Sequence, residues 1–209
     1  MRSIHFADPW QIAFYRGVAF TASIFFILLL QYRSSFFLAV KKIGYPGLFG
    51  GFLLMVTNLF FIQAIANTSI ANALFTLSSI PFITTFLAFI FLKEKLSLRT
   101  MIIMLFALIG IFIMINEGLE TGGFLGNLLA VLTAICFSGF AIVVRKYRSV
   151  DMLPTLLISG LLIVLITFFL NLGNFSITLR DLLLCFLWGG VLSGFVNSVF
   201  IFATRYLFA

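Results

Sequence analysis

The chain has 209 residues, 63% of them hydrophobic and only 9% charged, with thirteen Lys and Arg against six acids and a formal charge of +7. Soluble domains run about 45–50% apolar and about 25% charged, so this chain has too little polar surface to cover a globule in water. Disorder, a secreted disulfide scaffold and a soluble nucleic-acid binder are excluded on that ground; with a mean hydropathy of +1.23, the natural solvent is lipid.

A membrane-crossing helix needs about 20 largely apolar residues. In chain order, seven segments qualify: Trp10–Tyr32, Leu48–Ala66, Ile70–Leu92, Thr100–Ile115, Leu125–Val144, Leu153–Leu172 and Leu182–Leu207. The fourth is the shortest. Connections are short, no alternating ten-residue strands of a barrel occur, and the predicted fold class is all-α, a polytopic transmembrane helix bundle. The N-terminal residues MRSIHFADPW hold no apolar signal-peptide core. Cys136 and Cys185 both fall inside predicted spans and read as small packing residues.

Lys and Arg accumulate on the cytoplasmic side of a membrane. Strict alternation of the spans puts Arg33, Lys41, Lys42, Lys93, Lys95, Arg99, Arg145, Lys146, Arg148 and Arg205 on one face, ten of the thirteen cations. The other face holds Arg2 and Arg180 beside Asp8, Glu117, Glu120 and Asp181, and Arg16 lies within the first span. The charge is therefore a threading signal. It predicts a multi-pass protein of the cytoplasmic membrane, N-terminus outside and C-terminus cytoplasmic, with the lipid bilayer as partner and no nucleic acid. Tyr32, Tyr45, Tyr147 and Tyr206 at the cytoplasmic ends, and Trp10 and Tyr15 at the outer end, fit the aromatic belts. Trp188 sits deeper and reads as packing.

The second and last spans share a pattern. Gly50-Gly51, Asn58, Phe61 and Ala64 recur as Gly189-Gly190, Asn197, Phe200 and Ala203, all at an offset of 139 residues. The same offset lays the first span on the sixth, and in each pair the two copies run in opposite directions. Inverted repeats of this kind mark alternating-access transporters, whose substrate sites lie near the membrane midplane between the halves. The expected division is residues 1–118 and 119–209, an incomplete five-plus-five repeat of seven spans. Subtracting the offset from the fifth span places a partner upstream of Met1, and an N-terminus held outside also asks for a preceding span.

The stretch from Ala71 to Ser97 has small residues, then Pro81, an apolar run, and Lys93-Glu94-Lys95. It resembles the fourth helix of EamA-type drug/metabolite transporters. The next span, with Gly110, resembles their fifth helix, and Arg16 resembles an arginine common in their second. The resemblance covers essentially the whole chain, second helix to eighth. It implies ten helices in two inverted repeats and a small-metabolite substrate, an amino acid or a nucleoside-like compound, moved by rocking of the two halves around a central cavity. Against that pattern the first, ninth and tenth helices are lacking, so a truncated remnant or a helical scaffold acting through protein contacts is the rival reading; oligomeric state, a homo-oligomer included, is open.

Arg16 is the sharpest candidate, since an arginine inside a span costs at least about 2.5–3.5 kcal/mol at the centre. Either it snorkels to outer headgroups or it faces a cavity and meets an anionic substrate group. Ser69, Asn72, Thr76 and Ser79, spaced three, four and three apart, form one polar stripe beside the Pro81 kink, suited to a cavity wall or to interhelical hydrogen bonds. Asn58 and Asn197 are repeat-equivalent and could flank a central site; Gln63 shares a face with Asn67. Each also reads as a hydrogen-bonded packing residue. Glu94 is expected in a local ion pair or helix-end contact. Gly47-x-x-x-Gly51 and Gly190-x-x-x-Gly194 read as close helix packing. No cofactor or metal site is expected. The single histidine, His5, lies in the N-terminal segment, no acid lies within a predicted span, and no nucleophile motif occurs, so no enzyme is expected.

Overall fold

The computed structural model describes residues 8–95, 97–121, 123–171 and 175–207. Arg2 and His5 lie outside them, as do the side chains of Glu117, Glu120 and Tyr206. The described residues are helical, with no strand among them. The elements are α1 Pro9–Tyr32, α2 Phe36–Lys42, α3 Gly44–Asn67, α4 Ile70–Leu77, α5 Ile80–Leu92, α6 Leu98–Thr121, α7 Phe124–Lys146, α8 Pro154–Leu170, α9 Leu179–Cys185 and α10 Phe195–Leu207. A π-helical segment, Phe186–Gly194, joins α9 to α10.

Five stretches are long and apolar enough to cross a membrane: α1, α3, α4 with α5, α7, and Leu179–Arg205. Two shorter apolar helical stretches, Leu98–Gly110 and Pro154–Leu170, complete the seven spans. The fourth span keeps the shorter apolar stretch of these two, Leu98–Gly110, although its helix α6 has 24 residues; α8 has 17, at the lower limit for crossing. Large apolar side chains such as Leu30, Phe89, Phe106, Leu165 and Phe195 stand exposed, a surface suited to lipid. The protein is a polytopic membrane helix bundle.

Helix ends follow local chemistry. Asp8 opens α1 with a capping box, its carboxylate accepting from the Trp10 N–H and its own N–H donating to Gln11. Ser69 caps α4 by accepting from the Asn72 N–H at 3.1 Å, and Thr178 caps α9 by accepting from Asp181 N–H at 3.3 Å. Gly44, at φ +53, turns the chain from α2 into α3, a conformation that side chains rarely adopt.

The third span breaks where Pro81 forbids a continuous hydrogen-bond ladder. Ser78 and Ser79 form a turn between α4 and α5, and their hydroxyls donate to the carbonyls of Phe75 and Thr76, each at 2.6 Å. The stripe expected on one helix is thus divided between two. Because Pro81 stands in the first turn of α5, its missing N–H leaves no interior bond unmade. Pro81→Ala is therefore expected to change stability by less than about 1 kcal/mol, against the roughly 3 kcal/mol of a mid-helix proline, as read by denaturant unfolding in detergent.

The chain divides into two compact units, residues 1–55 with 143–209, and residues 56–142. In the first, α1 packs against α8 and the π segment. Small residues set this approach: Gly17 lies on Ile163, Gly160 on Thr21 and Phe20, Gly190 on Ala19 and Ser23, and Gly194 on Ser23. Gly51 likewise meets Ile158 and the Thr155 carbonyl of α8. In the second unit, Gly126 lies on the backbone of Asn67 and Thr68. The Thr84 hydroxyl of α5 donates to Ser138 Oγ of α7 at 3.0 Å, and Ser138 donates to the Ile80 carbonyl at 3.2 Å.

Candidate solute site around Arg16

Arg16 stands on α1, two turns in from the Asp8 cap, where the helix meets the π segment. Gly189 permits that meeting, since a Cβ there would fall 2.5 Å from the Arg16 carbonyl oxygen and 2.8 Å from its Cγ. The guanidinium runs along the π segment, and Nη2 donates to Ser193 Oγ at 3.1 Å. The Ser193 hydroxyl in turn donates to the Trp188 carbonyl, five residues back, at 2.7 Å. Asn197, one turn on, turns its amide onto the Ser193 carbonyl at 2.8 Å. Arg16, Ser193 and Asn197 thus form one hydrogen-bonded run. Nη1 of Arg16 is buried with no hydrogen-bond partner. Among the described residues, no carboxylate lies within ion-pair distance of Arg16; Asp151, by contrast, pairs with Arg205 at 3.0 Å.

The other predicted residues fall in the second unit. Thr76 and Ser79 are buried, and both hydroxyls donate to backbone carbonyls of their own chain turn, Thr76 to Asn72 at 2.9 Å and Ser79 to Thr76 at 2.6 Å. The Ser69 hydroxyl is spent in the α4 cap, where Asn72 contributes only its backbone N–H. Ser79 also lines a cavity of about 400 Å³ between α5 and α6, whose wall is otherwise apolar, with Phe82, Phe86, Met101, Met104 and Leu108. Asn58 is half-buried on α3, and the Gln63 carbonyl accepts the Asn67 amide at 2.7 Å while Gln63 Nε2 is buried without a partner. Glu94 is exposed just past the end of α5, and its N–H reaches the Ala88 carbonyl at 3.4 Å, a helix-end contact made by backbone. Lys93, in the left-handed region at φ 56, makes that ending.

Sequence reasoning missed three polar features. Asp181 was placed outside the last span, yet it lies in the first turn of α9, 3% exposed, with Oδ2 unpartnered, so an acid does fall within a membrane-length helix. Thr155, Ser159 and Thr167 of α8 and its C-cap Asn171, spaced four, eight and four apart, form one buried row. Asn171 ties this row to α1 by donating to the Trp10 carbonyl at 2.9 Å. At the opposite end of α1, Asp151 accepts from Arg205 of α10, from Gln31 of α1 at 3.4 Å and from the Leu153 N–H at 3.0 Å. Trp188, expected as packing, is 46% exposed.

No curated protein and no solved structure matches the chain. A family profile does: that of the EamA-like transporter family, over residues 1–116, more than half of the 209 residues. With the apolar helix bundle it matches, the chain belongs to the EamA-like transporter family.

Proposed function

We propose that the chain works as a secondary transporter of a small metabolite, by alternating access between two inverted repeats, residues 1–118 and 119–209. The family match carries this reading, and its end at residue 116 falls beside the proposed division at residue 118. Ten of the thirteen cations on one set of loops support a multi-pass protein of the cytoplasmic membrane, with residue 8 on the outer side and residue 207 on the cytoplasmic side. Arg16 and Asn197 in one unit, and Asn58, Gln63, Asn72, Thr76 and Ser79 in the other, are the proposed solute-facing polar groups. Pro81 and Glu94 shape the third span and its end. No step of this reading uses a metal, a cofactor or catalysis.

Counterflow tests it. Purified chain is reconstituted into liposomes loaded with one unlabelled metabolite at a time from a panel of amino acids, nucleosides and carboxylic acids, and uptake of the labelled compound is followed. Transient accumulation above protein-free liposomes is expected for at least one compound. Folded protein that gives none across the panel supports the remnant or scaffold reading instead.

A further inference from the structure

A guanidinium taken out of water keeps its charge, so it needs hydrogen-bond acceptors and a compensating anion. Arg16 has one acceptor, Ser193 Oγ, on Nη2. It has none on the buried Nη1. Asp181, the acid buried in the neighbouring helix α9, does not close the pair, because its own Oδ2 is likewise unpartnered. Ser193 is already committed as a donor to the Trp188 carbonyl, so it can only accept from Arg16 and orient it. The five-residue reach of that bond belongs to the π register, and the wider turn places Ser193 Oγ beside α1. Gly189 gives the backbone-close approach that lets the arginine lie along this segment.

We propose that Arg16 is a binding site for one oxyanion of a soluble solute, a carboxylate or a phosphate, received on Nη1, with Ser193 as the positioning residue that holds Nη2. This names the substrate class for the transport reading above and rests on it for its role in flux. The charge-assisted bonds from a guanidinium favour an anion over an isosteric neutral group, and at the buried Nη1 they are screened less than in open water.

Calorimetric titration of the purified chain in dodecyl maltoside, a neutral detergent free of phosphate, tests the site without any flux measurement. The probes are benzoate and inorganic phosphate, with benzamide as the neutral control. Saturable binding of benzoate or phosphate and none of benzamide is expected. Arg16→Gln is expected to weaken it by about ten- to a hundredfold, the loss of a charged hydrogen bond. Arg16→Lys retains the charge without the fork and is expected to weaken it less, which keeps the test decisive should Arg16→Gln not fold. Ser193→Ala is expected to lower affinity several-fold, and Ser193→Thr to restore it, which loss of packing alone would not give. Undiminished binding in Arg16→Gln overturns the proposal, as does folded wild-type protein that binds neither anion. So does Arg16-dependent retention of phosphatidylglycerol through purification with no soluble anion bound, which would make the oxyanion a lipid headgroup. Benzoate or phosphate binding without counterflow would leave this site standing and remove the transport reading; counterflow unaffected by Arg16→Gln would do the reverse.

Discussion

Gly189→Ala is expected to lower unfolding free energy by about 3 kcal/mol, the upper part of the range for overpacking a filled interior. The added methyl would lie 2.5 Å from the Arg16 carbonyl oxygen and 2.9 Å from its Cα. Both are backbone atoms, so no side chain can swing aside, and α1 must move away from the π segment. The same displacement draws Arg16 from Ser193, so the variant should lose anion affinity along with stability. Gly110→Ala on α6 is the matched control. Its Cβ would meet Phe75 Cζ at 3.9 Å, an ordinary contact, while the helix gains about 1 kcal/mol of propensity. Titration with a denaturing detergent, followed by circular dichroism, should therefore show opposite signs for two identical substitutions. Equal effects would mean that α1 and the π segment do not pack as described.

Phe140→Ala is the second large effect, at about 2–3 kcal/mol by the same measurement. Phe140 is completely buried on α7, its ring 6.1 Å from that of Phe137. In a soluble core such a truncation costs about 3–5 kcal/mol, part of it the transfer of the ring out of water. Here the dissociated helix places the ring among acyl chains, which are as apolar as the core, so the transfer contribution falls away and the cavity with its lost dispersion contacts remains. Phe106→Ala on α6, where the residue is 68% exposed, removes a group that faces mostly lipid and should be close to neutral. A Phe106 cost matching that of Phe140 would show that α6 has a protein neighbour on that face.

How much of this was legible in the sequence follows from which forces survive in lipid. The spans were legible because their length answers to bilayer thickness, and the turn at Ser78–Ser79 because a proline lacks an N–H. Gly47-x-x-x-Gly51 and Gly190-x-x-x-Gly194 announced close packing, and Gly51, Gly190 and Gly194 make it. Which way a helix faces was not legible. In water one face is polar, whereas in lipid both faces are apolar and the 3.6-residue signal fades. That is why Trp188 was misplaced, and why the buried row on α8 went unnoticed among leucines and isoleucines. Asp181 was misread because charge alone marked it as a loop residue, although Thr178 three positions earlier supplies a helix cap. The π register of Phe186–Gly194, where the segment packs against α1, has no counterpart in the local pattern read from the sequence. Arg16 could be singled out from sequence, but its partner Ser193 lies 177 residues away, beyond any local pattern.

The π segment also sets what α10 can present. Each turn of such a helix holds more residues than an α turn, so it stores surplus chain inside a continuous backbone. Passing one residue of that surplus along would turn everything beyond Gly194 by about 100°, the angular step of an α-helix, with a lengthwise shift of about 1.5 Å. Ser198 would then stand where Asn197 stands, and Asn197 where Val196 stands. The segment is a screw thread cut into the helix, able to swap one set of side chains for another without unfolding a single turn.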